Sequence, residues 1–398
     1  MPARSRQPLF GVLAAAVLGV GTPIALAQEK DPLNPFAPPP ESKLPDKDDA
    51  PAAPKADKPA SPTIPAAAPD IKTAQNAAIA NEMTPELDKA IAEGLMYLAS
   101  EQTDDGSFGS GRYGKNIAVT ALSCIALMAD GNLPGRGKYG KQVQKGLEFV
   151  LSSSTETGLL AADSTNGPMY GHGFATLFLG EVYGMTKGGG ETNLSSRVHE
   201  ALIKACTLIQ RSQNNEGGWR YNPVPYDADI SVTICQIMAL RSARNAGIEV
   251  PKETIDKAVE YVRRCQNNDG GFRYQETSGV SAWPRSAAGV ASLYYAGIYQ
   301  DDAIDRGVKY VMTAAFPGSQ NPNSGAHYFY GHYYSVQCMY LAGGQNWAKW
   351  WPAVRKELLD KQLKDGSWAD PSVGPAYGTA MSLIILQMPK RFLPIFQK

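Results

Sequence analysis

Apolar residues recur with helical spacing from residue 84 onward, and two kinds of helical pattern alternate. In the first kind only one face is apolar, as in the stripe formed by Leu87, Ile91 and Leu95. In the second kind, such as residues 117–129, the helix has hardly any polar side. An all-round apolar helix is covered by neighbours, whereas a striped helix has one face in water. The chain therefore predicts outer helices that alternate with inner helices.

This alternation occurs six times, and no segment shows the period-two pattern of a sheet. The predicted outer helices cover 85–102, 141–153, 195–213, 252–267, 302–315 and 350–363. The predicted inner helices cover 114–130, 171–184, 228–246, 284–298, 331–342 and 376–388. An open stack of hairpins would expose the sides of its end members. We therefore expect an all-α fold, an α/α-toroid (α6/α6 barrel) of six helical hairpins.

A short segment is repeated four times, each time at the end of a predicted outer helix. The copies are 102–108, 213–219, 266–272 and 362–368, and each reads Gln-x-x-acid-Gly-Gly/Ser-Trp/Phe. The acid-Gly pair supplies the left-handed residue that closes a helix, and the aromatic can pack back on that helix. The Gln amide can bond backbone groups that the helix end leaves free. Each copy is expected to hold two helices together.

The N-terminal part of the chain predicts export. Arg4 and Arg6 precede a nearly apolar stretch, residues 9–26, and Ala25-Leu26-Ala27 has the small-x-small pattern of a cleavage site. We interpret residues 1–27 as a signal peptide cleaved after Ala27, which directs the protein to the periplasm or outside the cell. The alternative is an uncleaved membrane anchor.

The segment after the signal peptide predicts a disordered tether. Residues 28–70 hold 12 of the 29 prolines and few large apolar residues, so they cannot bury enough surface to fold. We place this linker at 28–75 and the toroid domain at 76–398.

Charge and cysteine content exclude other classes. Lys plus Arg equals Asp plus Glu at 38 each, and no basic block occurs in the domain, which argues against nucleic-acid binding. The five cysteines lie inside helical patterns without a disulfide framework, so we expect most to be buried thiols.

The four repeated segments resemble the Gln-Trp repeats of squalene-hopene and oxidosqualene cyclases and the related repeats of protein prenyltransferase β-subunits. The resemblance covers roughly residues 84–390 and implies the α/α-toroid of those families. Squalene cyclases have two such barrels, and this chain has residues for one. The fold does not by itself fix the activity.

The segment Tyr226-Asp227-Ala228-Asp229-Ile230 resembles the Asp-x-Asp-Asp motif with which squalene-hopene cyclases protonate an alkene. The resemblance places Asp229 on the proton donor and Asp227 on the first acid, whereas Ile230 replaces the third acid. Alkene protonation needs a neutral carboxylic acid in a dry pocket, and a paired carboxylate helps to keep one proton in the site. The alternative interpretation is that either aspartate simply caps the helix that follows.

The inner helices are expected to begin at one rim of the toroid, where polar and aromatic residues would meet. Lys115 and both aspartates would share this rim with seven candidate substrate-binding residues: His172, Tyr226, Trp283, Arg285, Tyr330, His332 and Tyr333. Aromatic faces can hold a hydrophobic or cationic guest. The alternative is that the aromatics pack helices and the two histidines are structural caps.

We expect no metal and no cofactor. Protein prenyltransferases bind zinc through an Asp-x-Cys pair and a distant His, and no Asp-x-Cys occurs here. His332 and Cys338 are six residues apart, which places them on different faces of a helix.

Three functions remain open. The first is a terpene-cyclase-like enzyme that starts cyclisation of an isoprenoid with Asp229 and Asp227. The second is a non-catalytic toroid that binds a hydrophobic small molecule or an envelope protein. The third is a carbohydrate-active enzyme that uses the same two acids. The expected partners include peripheral contact with a membrane and exclude nucleic acid.

Overall fold

The computed structural model describes residues 82–162, 167–186, 192–277, 279–319 and 327–397. These ranges contain twelve α-helices. The odd-numbered helices are α1 (Pro85–Ser100), α3 (Gly140–Ser152), α5 (Thr192–Arg211), α7 (Lys252–Arg264), α9 (Asp302–Ala314) and α11 (Gly344–Lys361). The even-numbered helices are α2 (Ile117–Met128), α4 (Met169–Thr186), α6 (Ile230–Asn245), α8 (Trp283–Tyr295), α10 (Tyr328–Ala342) and α12 (Pro375–Leu386). Each corresponds to one of the predicted helices, and the all-α prediction is confirmed.

The two kinds of helix differ in burial as their sequences indicate. Helix α2 buries every residue except Ala118, whereas α7 buries one stripe that includes Ala258 and Val262. A helix buried on all sides lies inside a ring of neighbours, and a striped helix lies on its outside. The even-numbered helices are therefore the inner ones.

The inner helices form a closed cycle. Each packs against the next along the chain, from α2 through α4, α6, α8 and α10 to α12, and α12 packs against α2. Each odd-numbered helix packs on the outside of this cycle, and α1 contacts both α11 and α12. Because every inner helix follows an outer one, all six inner helices run in the same direction. Their first turns lie at one face of the toroid and their last turns at the opposite face.

The repeated glutamines connect consecutive hairpins. In each copy the side-chain Nε2 donates one hydrogen bond to a carbonyl of its own turn and a second to a carbonyl of the next outer helix. The second acceptors of Gln102, Gln213, Gln266 and Gln362 are the carbonyls of Gln142, Thr254, Ala303 and Ala90, at 2.8 to 2.9 Å. The last of these bonds joins the end of the domain to α1 and so closes the ring.

The predicted helix stop is also confirmed. The aromatic of the turn packs back on the helix it follows, since Trp219 Nε1 donates to Ile209 O and Trp368 Nε1 donates to Leu358 O, both at 2.7 Å. The turn glycines have a positive φ, as at Gly106 with φ 88°. Such a backbone favours glycine because other residues place a Cβ against the chain.

A fifth copy of this turn, which the sequence pattern does not reveal, lies at Thr155–Leu160. Gly158 has φ 88°, and a Cβ built on it would lie 2.5 Å from the carbonyl oxygen of Lys204 in the next outer helix. The same approach occurs at Gly106, where the carbonyl belongs to Lys145. This copy lacks both the glutamine and the large aromatic.

Several expectations concern segments or features outside the helices. The predicted signal peptide and linker lie outside the described residues. Extended pairing in the described ranges consists of three isolated bridges, one of which joins Gln266 and Phe272. The five cysteines are buried thiols without disulfides, as predicted. Among the described residues, no helix combines the length and apolar character needed to cross a membrane.

Candidate functional site

The face formed by the first turns of the inner helices brings Asp229 into a buried position at the start of α6. Asp229 is the N-cap: its Oδ1 accepts hydrogen bonds from the backbone N–H of Ser231 at 2.8 Å and of Val232 at 3.0 Å. The side chain is fully buried, and Oδ2 has no hydrogen-bond partner among the described residues. The cap interpretation of the sequence therefore describes Oδ1, and Oδ2 takes no part in the cap.

Burial raises the pKa of the Asp229 carboxyl to about 6. The two backbone N–H donors and the guanidinium of Arg220 act in the opposite direction. The hydroxyl of Tyr274 also lowers this pKa but does not complete a hydrogen bond to Oδ2. The helix-start effect expected from the sequence is therefore present, but desolvation outweighs it.

Arg220 lies between the two predicted acids. Its guanidinium forms an ion pair with Asp227, and its Nε lies 3.7 Å from Asp229 Oδ2. Asp229 is buried, whereas 37% of the Asp227 side chain is exposed. The expected pair of carboxyls sharing one proton is replaced by two carboxyls that share one arginine. Sequence reasoning missed Arg220, although it directly follows the aromatic of the second repeated turn.

Tyrosines enclose this group. The hydroxyls of Tyr221 and Tyr274 hydrogen-bond each other, and the Arg220 guanidinium lies 5.2 and 5.8 Å from the centroids of their rings. Tyr170 lies 6.0 Å from Tyr221, ring to ring. Burial, reinforced by the negative charge of Asp229, raises the pKa of Tyr170 well above its ordinary value, so this phenol is neutral. Neutral aromatic faces next to a buried acid are suited to a cation.

Tyr330 connects α10 to this site across the ring, because its hydroxyl donates to the carbonyl of Ser231 at 3.0 Å. Tyr334 lies beside it, with 4.8 Å between the ring centroids, and its hydroxyl is 3.4 Å from the thiol of Cys235. Of the seven residues predicted to bind substrate, Tyr330 is the one that the structure brings to the Asp229 site.

His172 has a structural position instead of the predicted substrate contact. It is fully buried, its Nδ1 accepts from Leu160 N at 3.1 Å, and its Nε2 lies 3.2 Å from Ala205 O. These partners require a neutral ring with the proton on Nε2, and burial lowers the pKa of His172 to about 4. Both nitrogens are occupied by backbone, which leaves none for a ligand.

The role of His172 is part of the repeat. In four other copies the same backbone N–H of the turn donates to a hydroxyl in the first turn of the inner helix. Those acceptors are Thr120, Thr233, Ser286 and Thr379, at 2.8 to 3.1 Å. His332 follows the first turn of α10 as His172 does in α4. It is buried among Trp283, Tyr328 and Trp350, and its Nδ1 has no partner among the described residues.

The remaining predicted residues lie elsewhere. Arg285 donates to the backbone carbonyls of Phe272 and Val280 and thereby fixes a loop. Tyr226 is 86% exposed, and the fully buried Tyr333 directs its hydroxyl toward Met238 Sδ at 4.0 Å. Lys115, expected at the rim, forms an ion pair with Asp105 at 2.9 Å. None of these interactions involves Asp229.

A pocket of about 630 Å³ opens on the same face, between α10, the end of α11 and the start of α12. Its aromatic lining consists of Tyr328, Phe329, Tyr330, Trp368 and Tyr377. Lys361 and Asp370 supply charge, and the Lys361 ammonium lies 5.0 Å from the centroid of the Tyr328 ring. Tyr330 therefore lines the pocket and also contacts the first turn of α6. Trp368 and Tyr377 are not among the residues predicted from the sequence to bind substrate.

Residues 190–316 match the family model described as prenyltransferase alpha-alpha toroid domain. This match covers about a third of the chain. The matched part includes the third and fourth hairpins and the whole Arg220–Asp229 group. A curated relative is drimenyl diphosphate synthase of Streptomyces showdoensis, 26% identical over 186 residues. That alignment covers 46% of this chain and 32% of the relative, so the chain matches about a third of its length.

Solved structures share the fold of this toroid domain. The type II terpene cyclase MstE from Scytonema, 14% identical, aligns with a TM-score of 0.53 over 78% of this chain and 100% of its own. The α-1,6-mannanase GH76A of Salegentibacter sp. HEL1_6, 8% identical, aligns with a TM-score of 0.57 over 77% of this chain and 99% of its own. At such identities the likeness establishes the all-α toroid alone.

Proposed function

We propose that this toroid domain protonates a carbon–carbon double bond of an isoprenoid and so starts its cyclisation, with Asp229 as the acid. The observation that carries this proposal is the buried Oδ2 of Asp229, which has no hydrogen-bond partner among the described residues. Because Oδ1 accepts two backbone N–H groups, a proton on this carboxyl is carried by Oδ2. With a pKa of about 6, a minor part of the molecules holds that proton at pH 7.

The surrounding residues suit the charges that this step produces. Proton transfer breaks the O–H bond of Asp229, forms a C–H bond on the substrate and leaves a carbocation beside a carboxylate. The Arg220 guanidinium, 3.7 Å from Oδ2, stabilises the carboxylate, and the tyrosine faces stabilise the cation. Asp227 acts through Arg220 as a positioning residue, because its ion pair holds the guanidinium in place.

The pocket of about 630 Å³ is the proposed binding site for the substrate. Its lining includes five aromatic side chains, and one of them, Tyr330, also donates a hydrogen bond to the first turn of α6. An apolar chain fits such a lining, because apolar pockets with few polar groups bind hydrophobic ligands. The names of two relatives agree with this substrate class: drimenyl diphosphate synthase, and MstE, whose structures contain geranylgeranyl dihydroxybenzoate.

Export and membrane contact complete the proposal. A cleaved signal peptide would place the toroid outside the cytoplasm, and the linker would separate it from the end of the chain. Three apolar residues in the loops before α6 and α8 are exposed. The exposed fraction is 58% for Val224, 86% for Tyr226 and 79% for Val280. Exposed apolar side chains on the face that holds the acid are suited to peripheral contact with a membrane, from which an isoprenoid can be drawn.

The carbohydrate-active alternative has less support. Glycoside hydrolysis uses two carboxyl groups that flank the scissile bond, one as acid and the other as base or nucleophile. Here Asp227 is engaged by Arg220, which also approaches Asp229. Two acids that share one arginine are not free to act from opposite sides of a sugar ring.

Asp229→Asn tests the acid directly. Asn retains an Oδ1 that can accept the two backbone N–H bonds, so the cap is preserved while the acidic proton is lost. Purified protein is incubated with geranylgeraniol, and products are analysed by gas chromatography with mass spectrometry. We expect cyclised product from the wild type and none from Asp229→Asn.

Asp301→Asn is the matched control, because Asp301 caps the outer helix α9 in the same manner, with Oδ1 accepting from Ala303 N at 2.9 Å. This variant should retain full activity. Wild-type activity in Asp229→Asn would reject the mechanism. Binding of geranylgeraniol without any product from the wild type would instead favour the non-catalytic toroid.

A further inference from the structure

The end of the chain closes the toroid on the face opposite Asp229. After α12 the chain crosses the last turns of the inner helices and ends in a 3₁₀ turn, Pro394–Phe396, which packs against α4 and α6. Leu393, Ile395 and Phe396 are buried there, with at most 4% of each exposed. The inner helices have 12 to 18 residues, so the two faces are separated by about 18 to 27 Å. This segment, residues 388–397, is called the C-terminal plug below.

One buried carboxyl holds the plug. Glu181, near the end of α4, accepts a hydrogen bond from Ile395 N through Oε2 at 3.1 Å. Its Oε1 lies 2.7 Å from Ser242 Oγ, which in turn lies 3.3 Å from the carbonyl oxygen of Leu177. Glu181 is 1% exposed, and no ion pair to it occurs among the described residues. It plays no part in the proposed proton transfer.

These contacts suit a neutral Glu181. A proton on Oε1 can be donated to Ser242 Oγ, whose own proton then goes to the Leu177 carbonyl, while Oε2 still accepts from Ile395 N. Every polar atom is then satisfied without a buried charge. An ionised Glu181 would keep two donors but would be buried without a cation, which is costly.

The other polar contacts of the plug are weaker and more exposed. Lys390 Nζ lies 2.5 Å from Asp130 Oδ1, with a quarter to a third of each side chain exposed. The Arg391 guanidinium lies 5.3 Å from the centroid of the Tyr340 ring, and Phe392 is 44% exposed. Ion pairs of this kind contribute about 0 to 1 kcal/mol. Among the polar contacts of the plug, the one with Glu181 is therefore the buried one, and it adds a titrating group to the apolar contacts of Leu393, Ile395 and Phe396.

We propose that the C-terminal plug is a removable stopper of the toroid, seated when Glu181 is protonated and released when Glu181 ionises. Release exposes the interior at the face opposite Asp229 and leaves the twelve helices in place. The device is independent of the proposed function, because it requires no substrate and no reaction at Asp229.

The direction of the pH dependence follows from the charge states. Burial raises the pKa of Glu181 to about 7, against the opposing effects of Ser242 and Ile395. The titratable groups that sense Glu181 from other helices are Tyr295 on α8 and Tyr333 on α10, and burial raises the pKa of each phenol above its ordinary value. Arg241 on α6 lowers the pKa of Tyr295, in opposition to burial. Both phenols stay neutral below pH 8, so Glu181 is the group of this cluster that titrates there.

A released plug leaves Glu181 in water, with an ordinary pKa of 4.5. Seating then takes up one proton between pH 4.5 and about 7. The seated state should lose stability by about tenfold per pH unit across this window and change little above it.

Amide hydrogen exchange of the full chain tests the proposal. Protection factors of the peptide that contains Ile395 are measured from pH 4.5 to 8 and corrected for the intrinsic exchange rate at each pH. We expect protection in the wild type to fall about tenfold per pH unit up to about pH 7. Amides in the middle of α6 and α10 should keep their protection, since the helices stay folded.

Glu181→Gln is the matched variant. Its Oε1 can accept from Ile395 N and its Nε2 can donate to Ser242 Oγ, so the plug stays seated without a titrating group. Protection in this variant should be high and independent of pH. Glu181→Ala should lower protection at every pH. The proposal is overturned if wild-type protection is flat with pH, if Glu181→Gln shows the wild-type slope, or if α6 and α10 open together with the plug.

Discussion

Arg220 Nε lies 3.7 Å from Asp229 Oδ2, and neither atom has a hydrogen-bond partner among the described residues. The distance is too long for a hydrogen bond but short enough for a strong charge interaction in a buried site. The guanidinium therefore lowers the pKa of Asp229, although burial raises it by more. The two residues set the acidity of the site together.

Removal of this cation should raise the pKa of Asp229. In Arg220→Met the acid loses the charge that favours its ionised form, so its titration midpoint should move above the wild-type value of about 6. Carbon-13 NMR of aspartate-labelled protein measures this midpoint. Arg264→Met is the control, because this substitution removes the same charge from a different place. Arg264 forms an ion pair with Glu276 at 2.8 Å. An unchanged midpoint in Arg220→Met would contradict the assigned role.

Asp229 should also make stability depend on pH. Its pKa rises from 3.8 when unfolded to about 6 when folded, so its contribution is fully present below pH 3.8 and is lost as the pH rises through about 6. Asp229→Asn has no such loss. The free energy of unfolding of the variant, relative to wild type, should increase by roughly 3 kcal/mol between pH 3.8 and 7.

Urea unfolding at a series of pH values measures this difference, and the comparison between the two proteins cancels the other carboxyls. Asp301→Asn provides the same substitution at an exterior cap. A constant difference between Asp229→Asn and wild type across this pH range would show that the carboxyl titrates normally in the folded protein.

The helices could be predicted because their signals are local. The apolar stripe of α7 and the all-round apolar pattern of α2 depend on residues within one helix, and so does the acid-Gly stop of each turn. The position of Asp229 could be predicted for the same reason, since a cap precedes its helix by one residue.

The partners of Asp229 depend on contacts that sequence spacing does not encode. Arg220 reaches the acid because the loop from 220 to 229 folds back over the start of α6, and Tyr330 reaches it from a helix on another part of the ring. His172 is predicted at the rim with His332, and its sequence does not show that it takes the place of Thr120 and Ser286 in other copies of the turn. Only the shared hydrogen bond to the turn shows that these three residue types have one role.

Gln362 should contribute to stability by closing the ring. Its Nε2 donates to Ala90 O and to Gly366 O, both at 2.9 Å, and Gln362→Ala leaves both carbonyls without this donor. We expect a loss of about 1 to 3 kcal/mol in the free energy of unfolding, measured by urea denaturation.

Gln144→Ala is the control, because among the described residues the side chain of Gln144 on α3 bonds only the neighbouring Glu148, at 3.3 Å. That variant should lie within about 0.5 kcal/mol of wild type. Equal effects of the two substitutions would mean that the link from the last turn to α1 adds nothing beyond an ordinary surface contact.

Gly158 should be as intolerant of a side chain as the turn glycines that the sequence does reveal. In Gly158→Ala the new Cβ would lie 2.5 Å from Lys204 O, at a φ of 88°, so the turn must move away from α5. Gly135→Ala separates the two causes, because Gly135 has φ 71° but nothing within 4 Å of the added Cβ. Backbone strain alone costs about 1 to 2 kcal/mol. We expect Gly158→Ala to lower the unfolding free energy by clearly more than Gly135→Ala in thermal and urea unfolding. If the two variants are equally stable, the degenerate turn does not hold α5 as its four counterparts hold their helices.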